Sequence, residues 1–267
     1  MPAPTAIAIA AHPDDIEFHM GGTLLKLGQA GYETHYFCLA NGCCGSTEYS
    51  ARRAAAIRLD EAREGARLLG AKFHPPITND MEVTYRIPLL RRVAAVVRAV
   101  NPRIVLTHSP ADYMEDHTAA CRLAVTAAFA RGMPNFKTIP PRRSTPAEVT
   151  VYHAMPHGLR DPLRRRVIPG SFVNISAVAD RKLESICAHR SQQRWLEESQ
   201  GIASFQATVH ASWAEVGGLS GRFKFAEGWR RHLHLGFCAA NADPLAEALG
   251  PDHLLNEAYE RALEAGF

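Results

Sequence analysis

Two short stretches of the sequence bring together side chains that bind metal ions and transfer protons. The first is His12-Pro13-Asp14-Asp15, and the second spans residues 108–117 and holds five further candidates: His108, Asp112, Glu115, Asp116 and His117. A histidine and a carboxylate separated by a tight turn can bind one divalent ion, and a spare carboxylate beside them can take a proton from water. These residue types therefore indicate metal-assisted hydrolysis.

A purely structural role is also open to the first stretch. An aspartate that precedes a helix often accepts hydrogen bonds from the free backbone N–H groups of the first helical turn. Either Asp14 or Asp15 could act as such an N-cap, because a helical pattern follows from Gly21. On these residues alone, metal binding and helix capping remain alternatives.

A catalytic zinc ion needs three protein ligands and an open position for water, so the first stretch must be completed from elsewhere. Both stretches directly follow short apolar runs, residues 5–11 and 103–107, which are typical of buried strands. In the common doubly wound strand order, the first and fourth strands are neighbours, and ligands bind beyond the carboxyl ends of the strands. This order would place the two stretches side by side.

The elements that must position these residues alternate between strand and helix patterns. Strands are predicted at residues 5–11, 34–39, 72–74, 103–107, 149–153 and 171–175. Helices are predicted at residues 21–30, 52–69, 88–100, 118–131, 177–197 and 244–265. Because right-handed crossovers place helices on both faces of a parallel sheet, the alternation predicts a doubly wound, mostly parallel, Rossmann-like α/β fold. In the absence of a linker or a repeat, residues 1–267 are predicted to form one domain.

The composition argues against several classes of partner and compartment. The formal net charge is only +3, which gives no support to a nucleic-acid partner. The six cysteines form no CxxC pair, so the sequence indicates neither a disulfide framework nor a thiolate zinc site. The apolar run near the start lacks a basic leader and is too short to cross a membrane. We therefore expect a cytoplasmic protein with no membrane partner.

Two other kinds of enzyme site are not supported by the motifs. A dinucleotide site needs GxGxxG directly after the first strand, whereas Gly21 and Gly22 come too late and lack the third glycine. A serine hydrolase of the α/β type needs a GxSxG elbow, and the sequence contains none. Metal-dependent hydrolysis therefore remains the best-supported chemistry.

The same residues resemble the PIG-L deacetylase family, also called LmbE-like, whose signature is AHPDDE followed by a GG pair. The matching stretch here is AHPDDIEFHMGGTL, from Ala11 to Leu24. Four further stretches resemble family motifs: Asn41-Gly42 in a glycine-rich loop, the RxxEA positions Arg58, Glu61 and Ala62, the stretch from Asp112 to His117, and HRSQ at His189 to Gln192. The resemblance covers most of the chain.

The resemblance implies a ligand set, a base and a reaction. Zinc, or another divalent metal, would be held by His12, Asp15 and His117, with Asp14 as the general base. Arg58 and Asp80 correspond to positions at which relatives hold the hydroxyl groups of a sugar substrate. The implied activity is removal of an acetyl group from an N-acetylated amino sugar or its conjugate, for example one that contains N-acetylglucosamine.

The chain departs from the family pattern at two positions. The acid of AHPDDE is displaced by one residue, so that Ile16 follows the aspartates and Glu17 comes next. The first histidine of the family's HPDH is Met114 here, and a thioether can neither donate a proton nor carry positive charge. Another group must replace it, and the candidates by location are His153, His157 and Tyr113. Of these, His157 is predicted to contact the substrate.

Two other functions remain open at this level. The metal chemistry does not depend on the sugar, so the substrate could be a different acylated amine. The loss of the histidine at Met114 would also be compatible with a metal-binding relative that has lost catalysis. A homo-oligomer is compatible with the sequence, which does not define the number of copies.

Overall fold

The computed structural model describes residues 3–200 and 205–265, and the apolar runs form the centre of one eight-stranded sheet. The strands are β1 (Thr5–Ala10), β2 (Glu33–Cys38), β3 (Lys72–His74), β4 (Ile104–Thr107), β5 (Thr150–Ala154), β6 (Ser171–Asn174), β7 (Ala226–Arg231) and β8 (His253–Leu255). The helices are α1 (Asp15–His19), α2 (Gly21–Gln29), α3 (Ala51–Leu68), α4 (Ile87–Val100), α5 (Glu115–Phe129), α6 (Ala179–Cys187), α7 (Arg190–Gln200), α8 (Phe205–Ser220), α9 (Pro244–Leu249) and α10 (Glu257–Ala265). None of the described helices has both the length and the apolar character needed to cross a bilayer.

The sheet has the strand order β3-β2-β1-β4-β5-β7-β6-β8. Strands β1 to β5 pair in parallel, whereas β7 pairs antiparallel with both β5 and β6, and β8 pairs antiparallel with β6. The predicted fold class is therefore confirmed, and so is the predicted contact between the first and fourth strands. The sheet reverses its direction of growth at β1, which is where open α/β sheets bind ligands.

The position of β1 in the sheet explains why only alanine and isoleucine occupy the run that precedes His12. Successive side chains of a strand point to opposite faces of the sheet. The three alanines face one hydrophobic core with α1, α2 and α6, while Ile7 and Ile9 face the other core with α4 and α5. All residues of β1 after Thr5 are buried, so both layers press on this strand and fix the position of the loop that follows it.

Two long helices predicted near the carboxyl end are each interrupted. The predicted helix at 177–197 is wrong as a single helix, because the chain turns at Ala188 and His189 and directs the His189 imidazole into the protein interior, where it pairs with Glu17. The predicted helix at 244–265 is also wrong as a single helix. Helix α9 ends at Leu249, and the next residue, Gly250, has a φ of 51° that suits glycine. The chain then forms β8. In the first case burial of the His189 side chain, and in the second case pairing of β8 with the sheet, outweighs the helical spacing of apolar residues.

Gly22, the second of the paired glycines after α1, lies against the carboxylate of Glu227 at the start of α2. A Cβ atom on Gly22 would lie 2.5 Å from the Ile175 side chain and 2.9 Å from Glu227 Oε1. Glu227 accepts hydrogen bonds from the backbone N–H groups of Gly22 and Thr23 at 2.7 and 2.8 Å, and from Lys182 Nζ at 2.5 Å. A carboxylate at a helix N-terminus is favourable because it meets free N–H groups and the positive end of the helix dipole. The second glycine therefore leaves room for the buried acid.

We expect Lys182→Met to destabilise the protein strongly. Both side chains of the pair are buried, and removal of one partner leaves the Glu227 carboxylate without its counter-charge. The loss of a buried partner typically costs about 3–5 kcal/mol, whereas an exposed ion pair contributes about 0–1 kcal/mol. Arg181→Met is the matched control, since Arg181 is the exposed neighbour that pairs with Glu184. The measurement is the free energy of unfolding in denaturant, and equal losses in the two variants would contradict the prediction.

Candidate active site

The two stretches singled out in the sequence meet above the carboxyl ends of β1 and β4. His12 and Asp15 follow β1, and His117 lies in the first turn of α5, and one donor atom from each of the three lies within 4.8 Å of the others. Asp15 Oδ2 is 3.5 Å from His12 Nδ1, and Asp15 Oδ1 is 3.4 Å from His117 Nε2. Two ligand atoms on a tetrahedral zinc ion are about 3.4 Å apart, since each lies about 2.0–2.1 Å from the metal. The donor atoms and their spacing therefore fit such an ion.

The second nitrogen of each imidazole is held by a buried carboxylate. His12 Nε2 lies 2.9 Å from Asp116 Oδ2, and His117 Nδ1 lies 3.0 Å from Asp112 Oδ1. Histidines that ligate metals usually donate their other N–H group to a carboxylate, which fixes the tautomer and makes the ligand nitrogen more basic. This arrangement leaves His12 Nδ1 and His117 Nε2 directed toward Asp15.

The charges around these donors favour a bound cation. Burial opposes the positive charge of His12, but its hydrogen bonds to the carboxylates of Asp116 and Asp15 outweigh burial and raise the pKa of His12 to about 9. Burial likewise opposes the charge of His117, and Asp15 and Asp112 raise its pKa to about 10. Burial also opposes ionisation of Asp15, yet the neighbouring imidazoles hold its pKa well below the usual range. The buried carboxylates thus attract positive charge, which protons or a metal ion can supply.

We expect Asp112→Asn to weaken zinc binding without abolishing it. The amide keeps the size of the side chain but no longer supplies the negative charge that makes His117 a strong ligand. Loss of such a partner typically lowers metal affinity about 10- to 100-fold. Glu115→Gln is the matched control, because Glu115 is an exposed acid in the same helical turn as His117, and it should leave the zinc affinity unchanged. Competition against a chromogenic zinc chelator measures both, and unchanged affinity in Asp112→Asn would contradict this role.

Asp14 lies beside the donor set, which is the group formed by His12, Asp15 and His117, and has a strained backbone conformation. Its φ is 99°, a left-handed value that is uncommon for residues other than glycine and that often marks functional sites. Asp14 occupies the N-cap position of α1, but its side chain makes no capping hydrogen bond to the described residues. Burial raises the pKa of Asp14 to about 6, although the nearby Arg58 guanidinium opposes this shift. The capping alternative thus finds no support for Asp14, whose carboxylate remains available as a base near neutral pH.

Arg58 connects Asp14 to the glycine-rich loop, residues 41–46. Its Nη2 donates to the carbonyl oxygen of Pro13 at 2.5 Å and lies 3.2 Å from Asp14 Oδ2. A Cβ atom on Gly42, whose φ is 78°, or on Gly45 would collide with the Arg58 side chain. The loop therefore needs these glycines because it lies directly on the side chain of Arg58, a residue that is only 3% exposed.

Asp80 lies at the same loop and holds it from the other side. Its Oδ1 accepts a hydrogen bond from the Gly42 N–H at 2.6 Å, and its Oδ2 accepts one from the Cys44 N–H at 2.8 Å. Each carboxylate oxygen keeps one lone pair for a further partner. In this structure Asp80 positions the loop, and direct binding of a substrate by Asp80 stays a prediction.

The three candidates for the group that replaces the family histidine at Met114 lie in different surroundings. His153 is buried behind the donor set, where its Nδ1 lies 2.9 Å from the His108 carbonyl oxygen and its Nε2 lies 3.0 Å from His232 Nδ1. His157 is exposed, and Tyr113 is 60% exposed with its ring centroid 5.8 Å from that of His117. His153 therefore supports the site from behind, whereas His157 and Tyr113 lie at its rim.

A further histidine of this region was not anticipated from the sequence. His19 lies four residues after Asp15 in α1, so both side chains project from the same face of the helix. Its ring centroid is 6.4 Å from that of His108 and 6.3 Å from that of His157. Burial lowers the pKa of His19 to about 3, so the imidazole is neutral at physiological pH. The i,i+4 spacing from Asp15 was the signal that could have identified it.

The displaced acid of the first motif has a defined role in the structure. Glu17 is fully buried and accepts hydrogen bonds from Tyr36 Oη at 3.1 Å and from His189 Nε2 at 2.8 Å. A side chain at Gly65 would collide with this carboxylate. His189, from the HRSQ stretch, is also close enough to interact electrostatically with Asp14. The hydrogen bond between Glu17 and His189 therefore joins the first motif, at residues 11–24, to the HRSQ stretch beneath the site.

Comparisons with known proteins find relatives with two different activities. A family model described as "PIG-L: GlcNAc-PI de-N-acetylase" matches residues 7–129. The "Diacetylchitobiose deacetylase" of Thermococcus kodakarensis is 32% identical over 192 residues, which cover 70% of this chain and 69% of that protein. The "4-oxalmesaconate hydratase" of Pseudomonas putida is 29% identical over 236 residues, which cover 85% of this chain and 88% of that protein.

The fold has also been observed in a solved structure of a deacetylase. The N,N'-diacetylchitobiose deacetylase of Pyrococcus horikoshii, complexed with its inhibitor MPG, superposes on this chain with a TM-score of 0.72. The superposition covers 91% of this chain and 89% of the other, at 26% sequence identity. The two chains thus share most of their architecture, which extends beyond the residues matched by the family model.

Proposed function

This chain belongs to the PIG-L family, also called LmbE-like, and on that premise we propose that it is a zinc-dependent hydrolase that removes an acetyl group from the nitrogen of an amino sugar or its conjugate. The observation that carries the proposal is the convergence of His12, Asp15 and His117 from two loops, with the free carboxylate of Asp14 beside them. A purely structural metal site would not need that additional carboxylate. The named deacetylases among the relatives support the reaction class.

The proposed ligands are His12, Asp15 and His117, which leave a position open for substrate and water. A zinc ion bound there would polarise the amide carbonyl and make water acidic enough to attack near neutral pH. Zinc is the expected metal from the nitrogen and oxygen donors, and another divalent ion with similar preferences would fit the same ligands. Asp112 and Asp116 hold the two imidazoles in the orientation that binding requires.

Asp14 is the proposed general base. Its carboxylate accepts the proton of the attacking water, and burial makes it a stronger base than an exposed aspartate. Arg58 lies 3.2 Å from one carboxylate oxygen and keeps Asp14 oriented. The same carboxylate can then return the proton to the leaving amine, which avoids the need for a histidine at Met114. We assign His157 and Tyr113, whose rings lie near each other at the rim, to holding the substrate while this occurs.

The polar side of the site fits the sugar. Arg58 and the glycine-rich loop are contributed by elements that follow β2, and Asp80 follows β3. The resemblance implies that the Arg58 and Asp80 positions bind sugar hydroxyls, and each Asp80 oxygen keeps a lone pair that could accept a hydrogen bond from a hydroxyl. We therefore assign the sugar hydroxyls to the side of Arg58, with Asp80 as a further proposed contact, and we propose that His157 contacts the substrate from the opposite rim, after β5.

Metal analysis combined with an amine-release assay tests this function. The purified protein should contain close to one zinc ion per chain and should release free amine from N-acetylglucosamine or diacetylchitobiose. A chelator should abolish the release, and added zinc should restore it. A panel of acylated amines without a sugar serves as the comparison. Faster release from those amines would favour a different amidase, and bound zinc without turnover on any amide would favour a relative that has lost this catalysis.

A second candidate function is hydration of a carbon–carbon double bond. The relative named as a hydratase aligns with a larger share of this chain than the deacetylase of Thermococcus kodakarensis does. Met114 also removes a group that the resemblance implies for amide hydrolysis. Hydration of a conjugated unsaturated acid destroys its ultraviolet absorbance, so incubation with 4-oxalmesaconate distinguishes the two reactions. Loss of absorbance without amine release from any amide would replace the deacetylase proposal.

A further inference from the structure

An apolar cavity of about 80 Å³ lies next to the donor set, on the side away from Arg58. Its wall consists mainly of six apolar side chains: Phe18, Met155, Leu159, Val209, Trp213 and Val216. They come from the end of α1, the segment after β5, and helix α8. The space is sufficient for about five water-sized groups. An open apolar cavity beside a catalytic centre is a candidate for binding an apolar part of the substrate.

The polar groups in the cavity wall connect it to the site. His19 and His157 line the cavity, and their ring centroids lie 6.3 Å apart. His19 also approaches His108, whose Nε2 is 3.3 Å from Asp15 Oδ2. Glu227 is the one carboxylate of the described wall that is buried, and it is neutralised by Lys182 and two backbone N–H groups. Among the described residues the cavity wall thus presents no unpaired buried carboxylate to repel an apolar group.

The direction of the amide determines which part of the substrate would enter the cavity. A secondary amide is almost always trans, so its two substituents project to opposite sides of the C–N bond. The donor set lies at β1 and β4, Arg58 lies on the β2 side, and the cavity lies on the β5 and β7 side. A substrate whose sugar is held by Arg58 would therefore direct its acyl carbon toward the cavity.

We propose that this cavity is an acyl-chain site and that the enzyme prefers N-acyl groups longer than acetyl. The proposal rests on the amidase function proposed above and specifies its substrate class: N-acylated amino sugars with a short unbranched acyl chain. An acetyl methyl group would leave the cavity unfilled. Each additional buried methylene strengthens binding about fourfold, so an N-butanoyl substrate, with two more methylenes, gains about fifteenfold over N-acetyl.

A chain-length series tests the proposal. The ratio of kcat/KM for N-butanoylglucosamine to that for N-acetylglucosamine should be about fifteen in the zinc-loaded protein. Ser212→Phe places a large ring at the cavity wall from an exposed position of α8, and it should lower that ratio about tenfold. Ala214→Phe, an exposed residue of the same helix that does not line the cavity, is the matched control and should leave the ratio unchanged. Calorimetric binding of both compounds to the Asp14→Asn variant gives the same comparison without turnover.

The outcomes separate this inference from the function on which it rests. Hydrolysis of the acetyl substrate together with a butanoyl-to-acetyl ratio at or below one, unaffected by Ser212→Phe, would overturn the acyl-chain site and leave the amidase function intact. The acyl-chain site would also be overturned if kcat/KM rises when the aglycone of the sugar is lengthened and Ser212→Phe abolishes that rise. The cavity would then bind the aglycone. Absence of amine release from every acyl length would remove the proposed function and this inference together.

Discussion

Replacement of Asp14 by Asn should leave zinc binding intact and lower kcat by about a thousandfold. Asparagine has nearly the same shape as aspartate, but its amide cannot accept a proton from water. General-base catalysis typically contributes about 10²- to 10⁴-fold to a rate, so the loss should fall in this range. The substitution removes the negative charge that faces Arg58 but does not touch His12 or His117, whose other nitrogens are held by different carboxylates.

The measurement needs three values for each variant: zinc per chain, kcat on an N-acylated glucosamine, and the melting temperature. Asp60→Asn is the matched control, because Asp60 is an exposed acid on α3, the helix that carries Arg58. It should retain full activity. Undiminished turnover in Asp14→Asn would rule out Asp14 as the base, and loss of zinc from that variant would show that Asp14 is a ligand instead.

The parallel half of the sheet could be predicted from the sequence because its signals are local. Strands β1 and β4 are buried on both faces, and such strands appear in the sequence as continuous apolar runs that end abruptly. The polar residues after those runs then locate the edge at which ligands bind. The convergence of His12 with His117 follows from the strand order alone, without any knowledge of side-chain positions.

Strand β7 could not be predicted because its stabilising partners are distant in the sequence. Its sequence AEGWRR contains a glycine, an acid and two arginines, which is a poor strand pattern. Glu227 becomes buried only because Lys182, Gly22 and Thr23 satisfy its carboxylate, and the Trp229 indole N–H donates to Thr23 Oγ1 at 3.0 Å. Helix α8 was missed for a related reason, since its Gly217 and Gly218 weaken the helical pattern.

Within the site, sequence motifs identified the residue types better than their contacts. The motif containing Asp14 indicated a free carboxylate, but its left-handed backbone and its contact with Arg58 depend on how α3 packs against the loop after β1. Likewise, the hydrogen bonds of Asp80 to the glycine-rich loop could not be predicted from its motif, and its binding of a sugar stays a prediction. Such contacts arise from tertiary packing, which the spacing along one chain does not encode.

Replacement of His12 or His117 by Ala should remove both zinc and turnover. Three protein ligands are the minimum that a catalytic zinc site uses, so each loss leaves only two. The fall in zinc affinity should exceed the 10- to 100-fold expected for Asp112→Asn, and kcat measured at limiting zinc should fall at least a thousandfold. Zinc content after dialysis, followed by the amine-release assay with and without added zinc, measures both effects. Full zinc content in either variant would contradict the proposed ligand set.

Replacement of His108 tests which of two neighbouring groups of donor atoms binds the metal. One donor atom from each of His108, Asp112 and His117 also lies within 4.8 Å of the others, so His117→Ala cannot distinguish the two groups. In the second group, however, His108 Nε2 already accepts the Ala11 N–H at 3.0 Å, and Asp112 Oδ1 is bonded to His117 Nδ1. A metal there would have to displace these hydrogen bonds, whereas the first group presents His12 Nδ1 and His117 Nε2 to Asp15 with their other nitrogens already satisfied. His12→Ala should therefore lose zinc and His108→Ala should retain it, and the reverse result would assign the metal to the second group.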